Sequence, residues 1–164
     1  MVEEVHPESG LAKGVWTDAD FQTMGWHDSH IYAISLLEYE DETLPPTRLL
    51  LDLDYIVQWV DGQPPARHFT FWVAPATLVF DQAWNVTGEF GPLSGALEVA
   101  DLHRLPPEDD HPDWLWHIEG HQFDLRLRAP GYTQHMRRPP LHVARQRLTL
   151  AERGGISVAE EAFA

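Results

Sequence analysis

A strict alternation of apolar and polar side chains is the feature that most limits what this chain can fold into. Between residues 49 and 60 every odd position is apolar, whereas the even positions include Asp52, Asp54 and Gln58. A period of two places alternate side chains on opposite faces of a β-strand. The segment therefore predicts a strand with one buried face; its apolar positions are Leu49, Leu51, Leu53, Tyr55, Val57 and Trp59.

The same period returns along most of the chain, between segments rich in Gly and Pro. Further strands are predicted over residues 69–73, 76–86, 97–105, 114–118, 123–127, 132–138 and 141–150. Short strands at this spacing leave no room for the helices of a parallel crossover. The predicted fold is mainly β, a single-domain antiparallel β-sandwich or barrel of about eight or nine strands. One short N-terminal helix is expected over residues 18–24, with Thr17 as its N-cap and Gly25 at its end.

The chain of 164 residues fits one domain. We expect a flexible N-terminal arm over residues 1–15, the β domain over 16–155 and a C-terminal tail over 156–164. The chain contains no Cys, so disulfides and thiolate metal sites are excluded. No apolar run is long enough to cross a bilayer, and the first ten residues are acidic, which is atypical of a secretory signal. A cytoplasmic location is expected.

The net charge of −15 limits the partners that the protein can bind. Nucleic acid and anionic membrane surfaces both repel such a chain, so neither is expected as a partner. A basic protein is attracted instead, and the acidic loop over residues 105–112, with Glu108, Asp109 and Asp110, is one place for such contact.

Positive charge is concentrated near the C-terminal end. Seven of the 11 Lys and Arg residues are arginines between residues 126 and 153, where Glu152 is the one acid. One interpretation is that these arginines pair across the sheet with carboxylates such as Asp52 and Asp54. The other is an anion-recognition patch, because Arg is a planar bidentate donor; Arg126 and Arg128 are its candidate residues.

The chain contains ten His and no Cys, which raises the hypothesis of a metal site with His ligands. The densest cluster is His27, Asp28 and His30, whose imidazole and carboxylate groups suit zinc or iron(II). Alternation along a strand lets this run supply at most two ligands, so a third would come from elsewhere, for example His117 or His121. The alternative is that Asp28 caps local backbone while the His side chains pack at a sheet rim. No other cofactor is predicted.

Seven Trp residues form the most unusual part of the composition. Trp72 lies on the face of its strand opposite Phe71 and Val73, which implies burial on both sides or an aromatic-lined cavity. Trp72, Trp84 and His68 are the candidate ligand-binding residues of such a cavity. Core packing is the alternative for both indoles.

Two segments carry a resemblance to a known group of proteins. They are Trp26-His27-Asp28, followed by the Leu-rich strand around Asp52 and Asp54, and the run Phe-Trp-Val-Ala-Pro-Ala-Thr-Leu-Val-Phe over residues 71–80. The chain resembles a bacterial family of small β-rich proteins of unknown function and, more distantly, immunity proteins of polymorphic toxins. The resemblance implies a β-rich fold and assigns no catalytic residue.

Three functions stay open at this point. The first is a non-catalytic binding protein, similar in role to an immunity protein, that captures a basic protein. The second is a small-molecule-binding module with an aromatic-lined pocket. The third is a metal-dependent enzyme that uses His27, Asp28 and His30. Catalysis is the least favoured, since the chain has no Cys nucleophile and no Gly-x-Ser-x-Gly motif.

Overall fold

The structure, a computed structural model, describes residues 8–40, 45–62, 64–65, 68–108 and 110–164. These residues form antiparallel strands and no long helix, which confirms the predicted fold class. No helix in the described part of the chain has the length and apolar character needed to cross a membrane. The strands are β1 (Val15–Thr17), β2 (His30–Glu38), β3 (Thr47–Val60), β4 (Thr70–Phe90), β5 (Leu97–Leu105), β6 (Trp114–Gly120), β7 (Phe123–Ala129), β8 (Thr133–Met136) and β9 (Leu141–Val143).

The strand pairings form a closed series because β4, which is 21 residues long, belongs to two sheets. It pairs with β3 along most of its length and with β7 near its end. The order β4-β3-β2-β5-β6-β7 then returns to β4. The narrowest join is between β2 and β5, where the register consists of two pairs, His30 with Glu98 and Ile31 with Leu97. We call this join the seam.

Pro75 lies within β4, although the sequence predicts a break there. Its carbonyl accepts a hydrogen bond from the Arg137 amide, so the side of Pro75 that lacks an N–H faces β8 and β9. Those two strands pair with β4 on either side of Pro75, at residues 71–73 and 76–79. The missing donor therefore falls between two short strands and leaves the β3 ladder intact.

The core is aromatic, as the composition suggests. Trp26 and Trp116 are 2% and 0% exposed, and their indole N–H groups donate to the side chain of Gln134 and the carbonyl of Ala129. A 3-10 helix, Asp18–Thr23, covers one end of the core and packs Phe21 against both indoles. Thr17 forms the predicted N-cap, and the helix ends at Thr23, before Gly25.

Residues 144–164 form a C-terminal strap across the outer face of β3. The strand predicted over 141–150 ends at Val143, and Leu150–Arg153 forms a short helix, α1, capped by Thr149. The residues expected as a C-terminal tail are hydrogen-bonded to the sheet, through the Ser157 amide to Asp52 and the Phe163 amide to the Met136 carbonyl. The strap explains why β3 is buried on both faces.

Part of the expected N-terminal arm is also packed. Leu11 is 4% exposed and belongs to the main core, and the backbone of Gly14 accepts a hydrogen bond from the Met136 amide. Residues 1–7 of that arm lie outside the described residues.

Candidate functional site

A row of carboxylates crosses the outer face of four adjacent strands. Asp101 on β5 is registered opposite Glu119 on β6, and Glu119 is opposite Asp124 on β7. Asp124 is in turn opposite Glu89 on β4. Their side chains point outward because the neighbouring residues of β5, β6 and β7 fill the core. We call Glu89, Asp101, Glu119 and Asp124 the acidic face.

A second row runs beside the acidic face. His103 is opposite His117, His117 is opposite Arg126, and Arg126 is opposite Thr87. The two histidines contact the acids diagonally: His103 Nε2 lies 3.0 Å from Glu119 Oε2, and His117 contacts Asp124. With neutral histidines the two rows hold four carboxylates and one guanidinium, so the surface is negative.

The acidic face contains a depression of about 370 Å³ between β4 and β7. Glu89 and Asp124 line it together with Thr87, Gly88 and Arg126. The C-terminal strap lies on β3 and does not cover it.

The predicted ligand-binding residues do not come together. Trp72 stacks on His142, with ring centroids 4.9 Å apart, and Trp84 packs on His111 and donates to Asp113. Both are half-buried on the outside of β4, twelve positions apart, and His68 is exposed at the β3–β4 hairpin. The interior void beside Trp26 and Ile118 measures about 10 Å³, enough for one water at most. An aromatic-lined pocket is therefore not what these residues form.

The arginines separate into two groups. Arg126 is exposed on the acidic face, whereas Arg128 is 6% exposed and donates to the Asp113 carbonyl, with Glu108 3.6 Å away. Asp109 lies outside the described residues. Arg126 thus lies beside the carboxylates of the acidic face and Arg128 is bound to the Asp113 carbonyl, so the two do not form an anion-recognition patch.

Asp52 and Asp54 pair with arginines, as one interpretation of the sequence predicted. Both are 0% exposed, and their carboxylates accept hydrogen bonds from Arg153, while Arg137 also donates to Asp52. Tyr32 donates to Asp54, and burial together with this bond raises the pKa of the Tyr32 hydroxyl. All four carboxylate oxygens are engaged inside the protein, which leaves no place for acid–base chemistry on a substrate.

The metal candidates lie at the seam, where the structure adds a residue that the sequence did not indicate. Asp28, Glu98 and His121 bring one ligand atom each within 4.8 Å of one another. His27 Nδ1 lies 3.1 Å from Asp28, and His30 Nε2 lies 4.0 Å from Glu98. His121 was one of the two suggested third ligands; the other, His117, is on the acidic face.

Glu98 was missed because nothing local marks it. It is the second residue of β5, and its approach to Asp28 depends on the pairing of β2 with β5, whose paired residues are more than sixty positions apart in the chain.

Comparison of the chain with protein-family models, with curated proteins and with solved structures gives no significant match.

Proposed function

We propose that this protein is a non-catalytic binding protein that captures a basic protein segment on its acidic face. The observation that carries the proposal is the register, which sets three acid–acid pairs in succession across four strands: Asp101–Glu119, Glu119–Asp124 and Asp124–Glu89.

Such a row costs folding free energy. Residues directly opposite in an antiparallel pair have Cβ atoms about 4.5–5.5 Å apart, and like charges at that spacing destabilise the sheet. At about 5 Å in water each pair repels by roughly 0.8 kcal/mol. His103 and His117 contact two of the acids, but neither Glu89 nor Asp101 contacts a cationic side chain among the interactions of the described residues. Lys or Arg from a partner relieves this repulsion.

The shape of the face agrees with such a partner. The depression has room for the end of one Lys or Arg side chain, and two carboxylates, Glu89 and Asp124, line it against one guanidinium, Arg126. Asp101 and Glu119 continue the row for the next cations along a basic segment. Complementary charge chiefly accelerates association and excludes acidic competitors.

The test compares two variants with the same change in charge. The first replaces the acidic face (Glu89→Gln, Asp101→Asn, Glu119→Gln, Asp124→Asn), and the second replaces four exposed acids elsewhere (Glu8→Gln, Glu38→Gln, Glu40→Gln, Asp61→Asn). Binding of a fluorescent octalysine peptide is followed by anisotropy at low salt. We expect the first variant to lose about tenfold in affinity and the second to lose no more than about twofold.

Equal losses in the two variants would show that octalysine responds to net charge alone, and the acidic face would then have no special role. Near-ultraviolet circular dichroism checks that both variants keep native packing. Binding that does not weaken with added salt would likewise contradict the proposal, because exposed charges are screened within about 10 Å at 0.1 M salt.

A further inference from the structure

We infer that the seam holds a second site, for a divalent transition-metal ion, with Asp28, Glu98 and His121 as its ligands. The site is independent of the acidic face. It offers one imidazole nitrogen and two carboxylate oxygens, a donor set that suits Zn²⁺ and its neighbours better than Mg²⁺ or Ca²⁺.

The distances fit a small ion. His121 Nε2 lies 3.6 Å from Asp28 Oδ1 and 3.7 Å from Glu98 Oε1. Bonds of about 2.0–2.1 Å to a tetrahedral Zn²⁺ place neighbouring ligand atoms about 3.3–3.4 Å apart. The two distances from His121 therefore exceed this spacing by only a few tenths of an ångström, and all three ligand atoms lie within 4.8 Å of one another. Two carboxylates match the charge of the ion.

Backbone hydrogen bonds hold the three ligands in place. The Asp28 amide donates to the Val99 carbonyl, the Val99 amide donates to the Ser29 carbonyl, and the His121 amide donates to the Glu98 carbonyl. Each ligand is thus tied to the backbone of the strand that carries Glu98. This preorganisation lowers the cost of forming the site.

Neighbouring side chains orient the ligand atoms. Asp28 Oδ2 accepts a hydrogen bond from Gln146 at 2.8 Å and lies 3.1 Å from His27 Nδ1, which turns Oδ1 toward His121. Outer contacts of this kind are a regular feature of metal sites in proteins. They also give His27 a role beside the site in place of the ligand role predicted for it.

Two buried polar atoms without partners lie in the same segment. Among the residues that the structure describes, the Oγ of Ser29, which is fully buried, has no hydrogen-bond partner, and neither has the Nδ1 of His30, whose side chain is 12% exposed. Buried polar atoms in native proteins are nearly always satisfied, so an unpaired one needs a cause. The His30 ring, Glu98 and His121 line a cavity of about 240 Å³. This cavity has room for an ion and its water ligands.

The experiment uses the full chain without a histidine tag, stripped with EDTA and returned to chelator-free buffer. Titration with ZnCl₂ by calorimetry is expected to show one saturable site per chain, with weaker binding of Mg²⁺. Asp28→Asn, Glu98→Gln and His121→Gln are each expected to weaken Zn²⁺ binding more than about 100-fold, and Gln146→Ala about tenfold. Asp28 has φ 65°, a conformation that Asn also tolerates, so Asp28→Asn keeps the loop.

The matched control is the double variant His103→Gln, Glu119→Gln. It removes another His–Glu pair, 3.0 Å apart on the acidic face, and is expected to change Zn²⁺ affinity less than twofold. Wild-type protein offers a further readout, since bound Zn²⁺ protects His121 from diethyl pyrocarbonate. Absence of stoichiometric binding, equal losses in control and ligand variants, or unprotected His121 in zinc-saturated protein would each overturn the site. None of these outcomes depends on octalysine binding.

Discussion

Arg153 and Asp52 form a bidentate ion pair in the interior, between the C-terminal strap and β3. Arg153 Nη1 lies 2.9 Å from Asp52 Oδ2 and Nη2 lies 2.7 Å from Oδ1, and both side chains are 0% exposed. Burial disfavours the charged guanidinium, yet the bonds to Asp52 and the charge of Asp54 keep the pKa of Arg153 above its ordinary value. The strap is therefore fastened to the sheet by charge as well as by packing.

Arg153→Met is expected to destabilise the protein strongly. The substitution leaves Asp54 without its cation and Asp52 with Arg137 alone, and breaking a buried pair costs about 3–5 kcal/mol. Urea denaturation measures the loss. Hydrogen exchange at the Leu148 and Ser157 amides, which donate to Asp54 and Asp52, reports whether the strap detaches first.

Arg145→Met is the matched control for this experiment. Arg145 pairs with Glu152 on the same strap, but its side chain is 49% exposed. Exposed pairs contribute about 0–1 kcal/mol, so the loss is expected to be small. If the two variants lost the same free energy, the buried pair would have no special role in holding the strap.

A second prediction concerns the hydrogen bond inside the core. Gln134 Oε1 accepts the Trp26 indole N–H at 2.9 Å, and both side chains are almost fully buried. Gln134→Leu leaves that N–H without its acceptor, which costs about 1–3 kcal/mol. Urea denaturation followed by Trp fluorescence measures the loss. Gln122→Leu, on an exposed Gln, is the control and is expected to cost no more than about 0.5 kcal/mol; similar losses in both would contradict the argument.

The strands were predictable because alternation is a local property. Leu97–Leu105 was located to the residue, and the odd positions of β3 from Leu49 to Val57 face the core as the period requires. Trp59 does not: the register shifts between Ile56 and Gln58, and Trp59 beyond that shift is 40% exposed. The sequence predicts that the strand is interrupted at Pro75, because it does not reveal which edge of a strand lacks a neighbour. The break disappears once β8 and β9 pair with β4 on either side of that residue.

The functional surfaces were less predictable because they depend on which strands become neighbours. The acidic face exists only through the registers of β4, β5, β6 and β7, so its members are unremarkable in sequence. His27, Asp28 and His30 were visible as a cluster, whereas Glu98 joins them only across the seam. The strap was missed for a similar reason: Arg153 reaches a strand a hundred residues away.

The acidic face also leads to a prediction about stability. Replacing Glu89, Asp101, Glu119 and Asp124 by their amides removes three repulsive pairs, and relief of such repulsion stabilises a sheet by about 0.2–1 kcal/mol for each pair. The melting temperature of this variant is expected to exceed that of wild type at low salt. The difference should shrink as salt rises, because exposed charges are screened. A lower melting temperature at low salt would mean that the contacts with His103 and His117 outweigh the repulsion.

The last prediction concerns unfolding at high pH. Burial raises the pKa of the Tyr132 hydroxyl well above its ordinary value of 10.0, with further contributions from nearby Tyr55 and Asp18. A raised pKa means that the folded state holds this proton more tightly than the unfolded chain does. The resulting stability is fully present below pH 10 and is lost as the pH rises toward the folded pKa. Tyr132→Phe removes the group that must ionise.

Circular dichroism during alkaline titration measures the effect. Because the variant has no hydroxyl to ionise at this position, we expect its unfolding midpoint to lie at higher pH than that of wild type. Tyr39→Phe is the control: the Tyr39 hydroxyl donates to Asp81 near the surface, where ionisation requires less rearrangement, so its midpoint should change less. An unchanged midpoint in Tyr132→Phe would show that alkaline unfolding begins elsewhere, for which Tyr55, with a pKa also raised by burial, is the next residue to test.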